Sequence, residues 1–135
     1  MIFVDSSAWL AVSDVRDGNH KSALAFNGRL IQGAEGRLLT SDYIMDETLT
    51  LLRKRTGADI TKRFVSGLEA SSSVQVIWVT TAHYRAALEL FLGQRQTSWS
   101  FTDCTSFAIM HELGVRKVFT FDSDFLQAGF ESQPR

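Results

Sequence analysis

An α/β sandwich built on a parallel sheet is the fold class this sequence predicts, and three observations predict it. The chain opens with Ile2-Phe3-Val4, a short apolar run with two β-branched residues that leads straight into Asp5. Such a run reads as a strand buried on both faces, the situation of a parallel sheet. Further apolar runs at Leu38-Leu39-Thr40, Val74 to Val79 and Lys117 to Phe121 alternate with stretches of helical spacing. That alternation implies crossover connections packed on the sheet. The only proline is Pro134, in the tail, so helices between the strands run uninterrupted.

The length of 135 residues suits one domain, 1–135, with one core. Hydrophobic residues make up 44% and charged residues 21%, an ordinary globular balance. No apolar run approaches the roughly 20 residues that cross a bilayer. The N-terminus has no basic lead and no small-residue cleavage site, so no signal peptide is predicted. Cys104 is the only cysteine, which excludes an intrachain disulfide and points to a reducing, cytoplasmic setting. A net charge of −1 argues against a strongly basic nucleic-acid coat but allows a local patch.

Taken in order, Ser6 or Ser7 caps a short helix to Val12, and Asp14 to Gly18 is a polar turn. Ala23, Phe26 and Leu30 mark a helix from Asn19 that ends at Gly33 and Gly36. After the second strand, Ser41 or Asp42 caps a helix running to about Arg55 and stopped by Gly57. Asp59 starts another, with Ile60, Phe64, Val65 and Leu68 inward, broken by Ser71-Ser72-Ser73. The strand from Val74 to Val79 follows on its β-branched content. Thr80 or Thr81 caps a helix holding Tyr84, Leu88, Phe91 and Leu92. Gln94 to Ser100 is a polar loop, and Thr102 caps the helix that carries Phe107, Ile109, Met110 and Leu113 to Gly114. A strand to Phe121 leads into the turn Asp122 to Phe125. The last apolar segment, around Phe130, is short.

Four carboxylates stand where a bland surface would not put them. Asp5 and Asp122 directly follow strands, at the edge where open α/β sheets bind ligands. Glu47 shares a helical stripe with Ile44 and Leu51, and Asp103 shares one with Phe107 and Met110. Each has an ordinary explanation. Asp103 suits a helix dipole, Asp122 an Asx turn, Glu47 an ion pair with Arg53 or Arg85, and Asp5 a helix cap. Gathered at one edge, however, four carboxylates repel one another unless a cation neutralises them. Oxygen-only ligands favour Mg²⁺ or Mn²⁺, ions that also take phosphate oxygens and generate hydroxide, the chemistry of a metal-dependent nuclease.

In these segments the sequence resembles the PIN-domain family, and specifically its VapC-type ribonuclease toxins. The match is carried by Ile2 to Ser7, by Asp46 to Arg53, by Ser100 to Cys104 and by Thr120 to Phe125. The resemblance spans the whole chain in the family's order. It implies a three-layer α/β/α fold with a five-stranded parallel sheet and an acidic Mg²⁺/Mn²⁺ site that hydrolyses RNA to 3′-hydroxyl and 5′-phosphate ends. Asp5, Glu47 and Asp103 match the three core acids, and Asp122 the fourth. Asp124 falls at a supporting acidic position, and Ser7, Thr102 and Thr120 at supporting hydroxyl positions. Cys104 departs from the pattern and is expected to pack as a small apolar residue. His20, His83 and His111 read as surface or boundary residues rather than general bases.

RNA contact is expected from Arg53-Lys54-Arg55, although a solvated helix end explains that cluster equally well. Trp99 offers a base-stacking surface, with core or dimer contact as the alternative. The resemblance further implies a homodimer, and a small VapB-type antitoxin that inserts an arginine among the acids. The rival functions are a PIN nuclease of RNA processing and a PIN-like binding module without catalysis. A HAD-type phosphohydrolase is disfavoured, because Ser7 stands where its second aspartate would be.

Overall fold

The computed structural model describes residues 1–135. Strand β1 (Ile2–Val4) leads to helices α1 (Ser6–Ser13) and α2 (His20–Ile31), then β2 (Leu38–Ser41). Helices α3 (Asp42–Thr56) and α4 (Ala58–Ala70) precede β3 (Val74–Ile77), and α5 (Thr81–Gly93) and α6 (Phe101–Leu113) precede β4 (Lys117–Phe119). The chain closes with α7 (Ser123–Gln127) and β5 (Glu131–Gln133). All five strands are parallel, in the order β3-β2-β1-β4-β5. Phe3 stands in register with Leu39 on one side and Val118 on the other, so β1 is the centre of the sheet.

This order places the site. From β1 the chain winds outward through β2 to β3, then returns across the sheet and winds the other way through β4 to β5. Right-handed crossovers put α1–α4 and α5–α7 on opposite faces. The helix contacts agree: α1 touches α2 and α3, α3 touches α4, and α5, α6 and α7 touch in sequence. The winding reverses between β1 and β4, which opens a crevice beyond their carboxyl ends. Helix α3 also reaches α6.

The core is aromatic and dense. Phe3, Phe107, Phe119 and Phe125 are fully enclosed, with Phe26 edge-on to Phe119 at 4.8 Å and Phe125 edge-on to Phe107 at 5.1 Å. Cys104 is buried beside Ala87 and Ala108, as expected of a small apolar residue. Burial pushes its thiol up to about 11, with Asp103 adding to the shift, so it is an inert packing group.

Several local expectations are corrected. Asp5, not Ser6 or Ser7, caps α1, and α6 starts two residues earlier than expected, at Phe101, with Ser100 as its cap rather than Thr102. The third strand stops at Ile77, because the Val79 N–H donates to Asp42 Oδ1 at 2.7 Å instead of to a neighbouring strand. In α5 the inward row is His83, Ala87 and Leu90, while Tyr84, Phe91 and Leu92 face outward. His83 is therefore no surface residue. Its Nδ1 accepts from the Thr80 N–H at 3.1 Å and its Nε2 lies 3.0 Å from Glu112. Val65 lies in an outer groove with Trp78 rather than in the core.

Candidate active site

The crevice beyond β1 and β4 is lined by Asp5, Ser6, Ser7, Glu47, Leu51, Phe121 and Asp122, together with Asp17, Asn19 and Arg55. Asp5 sits at its floor, 3% exposed, because β1 ends against Phe119: the Asp5 N–H donates to the Phe119 carbonyl at 3.0 Å. One carboxylate oxygen is consumed by the protein. Asp5 Oδ2 accepts from Ser7 Oγ at 2.8 Å and Thr120 Oγ1 at 2.9 Å, with the Ser7 N–H at 3.4 Å. The other oxygen, Oδ1, has only the Ser6 hydroxyl at 3.5 Å. That hydroxyl proton has a much nearer acceptor, Glu47 Oε1 at 2.5 Å. Asp5 is thus held rigidly on one oxygen and left open on the other.

The supporting hydroxyls are themselves fixed. Ser7 Oγ accepts from the Phe121 N–H at 2.9 Å, and Thr120 Oγ1 accepts from the Asp122 N–H at 2.9 Å. Two side chains therefore tie β1 to the segment that follows β4, at the winding reversal. Thr102 has a different place. It lies in the first turn of α6, where its carbonyl accepts from Thr105 and Ser106, and its hydroxyl does not reach the acids.

Asp103, Asp122 and Asp124 converge most closely, each with a carboxylate oxygen within 4.8 Å of the others. Asp103 Oδ2 accepts from the Ser100 N–H at 3.0 Å, half of a capping box whose other half is the Asp103 N–H on Ser100 Oγ. Asp122 Oδ1 accepts from the Asp124 N–H at 2.9 Å. Asp124 is thus a member of the tight trio, while Asp5 and Glu47, joined through Ser6, form the adjoining pair. Glu47 has no arginine partner. It lies with Leu51 on the crevice side of α3, and Ile44, Thr48 and Leu52 form the buried row.

Electrostatics follow from this crowding. Burial pushes Asp5 up to about 6; its hydroxyl donors oppose the shift and the Glu47 charge adds to it. Burial likewise pushes Asp103 up to about 7, with further pushes from Asp5 and Asp122. Asp124 is raised by burial and then by Asp122. Carboxylates that are this reluctant to ionise together, offering oxygen atoms alone, form a donor set that fits a hard divalent cation.

The expected RNA contacts separate. Arg55 lines the crevice, whereas Arg53 and Lys54 are exposed beside it. Trp99 packs edge-on against Phe107 at 5.2 Å, and its indole N–H donates to Gln127, so its ring is committed to the core wall. Sequence reasoning missed Ser6, for which nothing local distinguished it from its neighbour. It also missed Ser100, whose position three residues before Asp103 is a legible capping signal.

Comparison with known proteins agrees with the fold. The family model described as PIN domain matches residues 2–131. A curated relative from Mycobacterium tuberculosis, named 23S rRNA-specific endonuclease VapC20, is 35% identical over 130 residues, covering 96% of this chain and 95% of its own. A second, named VapC ribonuclease, from Archaeoglobus fulgidus, is 31% identical over 124 residues, covering 90% of this chain and 77% of its own. The crystal structure of the Mycobacterium tuberculosis VapC20, titled a Sarcin-Ricin loop cleaving toxin, superposes with a TM-score of 0.85 at 33% identity and covers 96% of both chains. The chain therefore belongs to the PIN-domain family, among its VapC-type nucleases.

Proposed function

We propose that this protein is a metal-dependent endoribonuclease and the toxin of a VapBC-type pair, with Asp5, Glu47, Asp103 and Asp122 holding Mg²⁺ or Mn²⁺. The observation that carries the reading is the division of labour on Asp5, one oxygen fixed by Ser7 and Thr120 and the other without a proton donor of its own. When bound, the ion supplies a nucleophilic water of lowered pKa and stabilises charge on the phosphate. The chain's own part is preorganisation. Ser7 and Thr120 hold Asp5, Ser6 holds Glu47, and Ser100 holds Asp103, so the carboxylates are aimed before RNA arrives. Asp124 supports the trio with Asp103 and Asp122.

The substrate is RNA, and the relatives' names make a ribosomal stem-loop of the sarcin–ricin type the first to try. A VapB-type antitoxin fits the same crevice, since an arginine entering it would neutralise the carboxylates in place of the cation. A homodimer belongs to the reading as well, and the exposed Trp78, Tyr84, Phe91 and Leu92 offer apolar surface to a second copy. No helix is long and apolar enough to cross a membrane, and the proposed setting is the cytoplasm.

The test is cleavage of a sarcin–ricin hairpin in Mg²⁺ by wild type, Asp5→Asn and Asp103→Asn. Both variants are expected to keep the circular dichroism of the wild type and to lose cleavage. Full activity in either would overturn the assignment of that residue, and absence of metal-dependent cleavage in wild type would overturn the function.

A further inference from the structure

We propose that Arg55, held in place by Asp17, is the residue that grips an RNA phosphate beside the acidic centre. The proposal rests on reading the protein as a ribonuclease. Glu47, Leu51 and Arg55 are spaced four residues apart on α3, so they form one row along the helix. That row runs from the carboxylates to about 12 Å away along the axis. All three line the crevice, and Arg55 is its only cation. Lys54 and Arg53, one and two residues earlier, are rotated off the row into solvent.

The turn between α1 and α2 fixes the guanidinium. Asp17 Oδ1 accepts from the Asn19 N–H at 2.8 Å, and Asp17 Oδ2 accepts from Arg55 Nη1 at 3.2 Å. Arg16, its own N–H bonded to Asp14, donates from its guanidinium to the Arg55 carbonyl. Asp17 is mostly buried, at 15% exposure, while Arg55 is 43% exposed. Asp17 engages only Nη1, and Nε and Nη2 of Arg55 find no acceptor in the protein. A guanidinium steered by one carboxylate, with its remaining donors free, is prepared for a phosphate. A polyanion entering a crevice of carboxylates needs a cation for the phosphates that flank the scissile one, and phosphate contacts of this kind set register. Arg55 is a binding residue in this account, and Asp17 a positioning residue that acts through it.

The experiment measures cleavage of the sarcin–ricin hairpin in Mg²⁺ between about 50 and 200 mM salt. It compares wild type with Arg55→Gln, Arg55→Lys, Asp17→Asn and the double variant Asp17→Asn/Arg55→Gln, with Mn²⁺ calorimetry on each. Arg37→Gln is the control; Arg37 precedes β2 at the opposite end of the sheet and bonds Gln75. Arg55→Gln is expected to raise KM about tenfold with kcat little changed, and to flatten the salt slope of kcat/KM by about 0.7 to 1. Arg55→Lys should fall between, and Asp17→Asn should raise KM less and add nothing once Arg55 is gone. Arg37→Gln and all Mn²⁺ affinities should match wild type. The proposal is overturned if Arg55→Gln and Arg55→Lys behave like Arg37→Gln. It is also overturned if their loss lies in kcat and Mn²⁺ affinity, which would place Arg55 on the acids instead. Failure of wild type to cleave at all is a distinct result that removes the ribonuclease reading itself.

Discussion

Without metal, this protein should be less stable at about pH 8 than at about pH 5, against the usual trend for carboxylate-rich proteins. Asp5 and Asp103 both have folded pKa values above their ordinary value of 3.8, at about 6 and about 7. The folded state therefore holds protons that the unfolded chain has released. Stability is full below about pH 4, falls as pH rises through the two folded values, and levels off above about pH 7. At 1.36 kcal/mol per unit the two groups acting alone would contribute about 3 and about 4 kcal/mol. Because part of the Asp103 shift is the charge on Asp5, the pair titrates jointly and the loss is of order 5 kcal/mol. Urea unfolding in EDTA across this range gives the profile directly. Mn²⁺ should restore the stability lost at high pH, and calorimetry near pH 6.5 in buffers of different ionisation enthalpy should show protons released on binding. Asp103→Asn, which keeps an acceptor for the Ser100 N–H, should flatten the profile and exceed wild type at about pH 8 without metal. A flat or rising wild-type profile in EDTA, or metal binding with no proton release, would refute the account of crowded buried acids.

Glu47→Gln keeps the Ser6 bond but removes a charge, and Mn²⁺ affinity by calorimetry should fall at least tenfold; an unchanged value removes Glu47 from the metal shell. Thr120→Val removes a donor to Asp5 and leaves the Asp122 N–H unpaired, so kcat should drop by about tenfold or more while Mn²⁺ still binds. The readout that separates positioning from simple destabilisation is the pH–rate profile, whose acidic limb should move upward as Asp5 loses a hydrogen bond that favours its charged form.

How far the sequence could be read depended on what held each element. Strand β1 was plain because a central parallel strand is apolar on both faces, and Ile2, Phe3 and Val4 are all buried. Strand β5, Glu131–Gln133, has no such signature. It is an edge strand kept by backbone pairing, with Glu131 N–H on the Arg116 carbonyl and Thr120 N–H on the Gln133 carbonyl. The outward turn of Tyr84 and Phe91 was hidden for another reason: they pack on Phe101 at 5.3 and 5.7 Å, a contact between α5 and α6 that spacing within α5 does not reveal. Among the candidate site residues, identity and the shared edge of the sheet were legible, and the finer grouping was not. The carboxylates could be picked out one by one, but the close approach of Asp124 to Asp103 depends on how α7 docks beside α6.

Capping and metal binding looked like competing explanations for these acids, and the capping geometry is compatible with both. Asp5 caps α1, Asp122 caps α7, and Asp103 is the acidic half of the capping box of α6. Each cap uses one carboxylate oxygen: Oδ2 of Asp5, Oδ2 of Asp103 and Oδ1 of Asp122. Capping thereby fixes the carboxylate plane and leaves the second oxygen available, the arrangement a hard cation needs from a ligand. Asparagine and alanine at the same position separate the two roles. Asp122→Asn retains the cap oxygen and loses the charge, so its stability by urea unfolding should stay near wild type while Mn²⁺ affinity falls. Asp122→Ala loses both and should cost about 1 kcal/mol more than the asparagine variant. Equal stabilities would show that the Asp122 cap holds nothing in place. An asparagine variant binding Mn²⁺ as tightly as wild type would show that capping is the whole of its role.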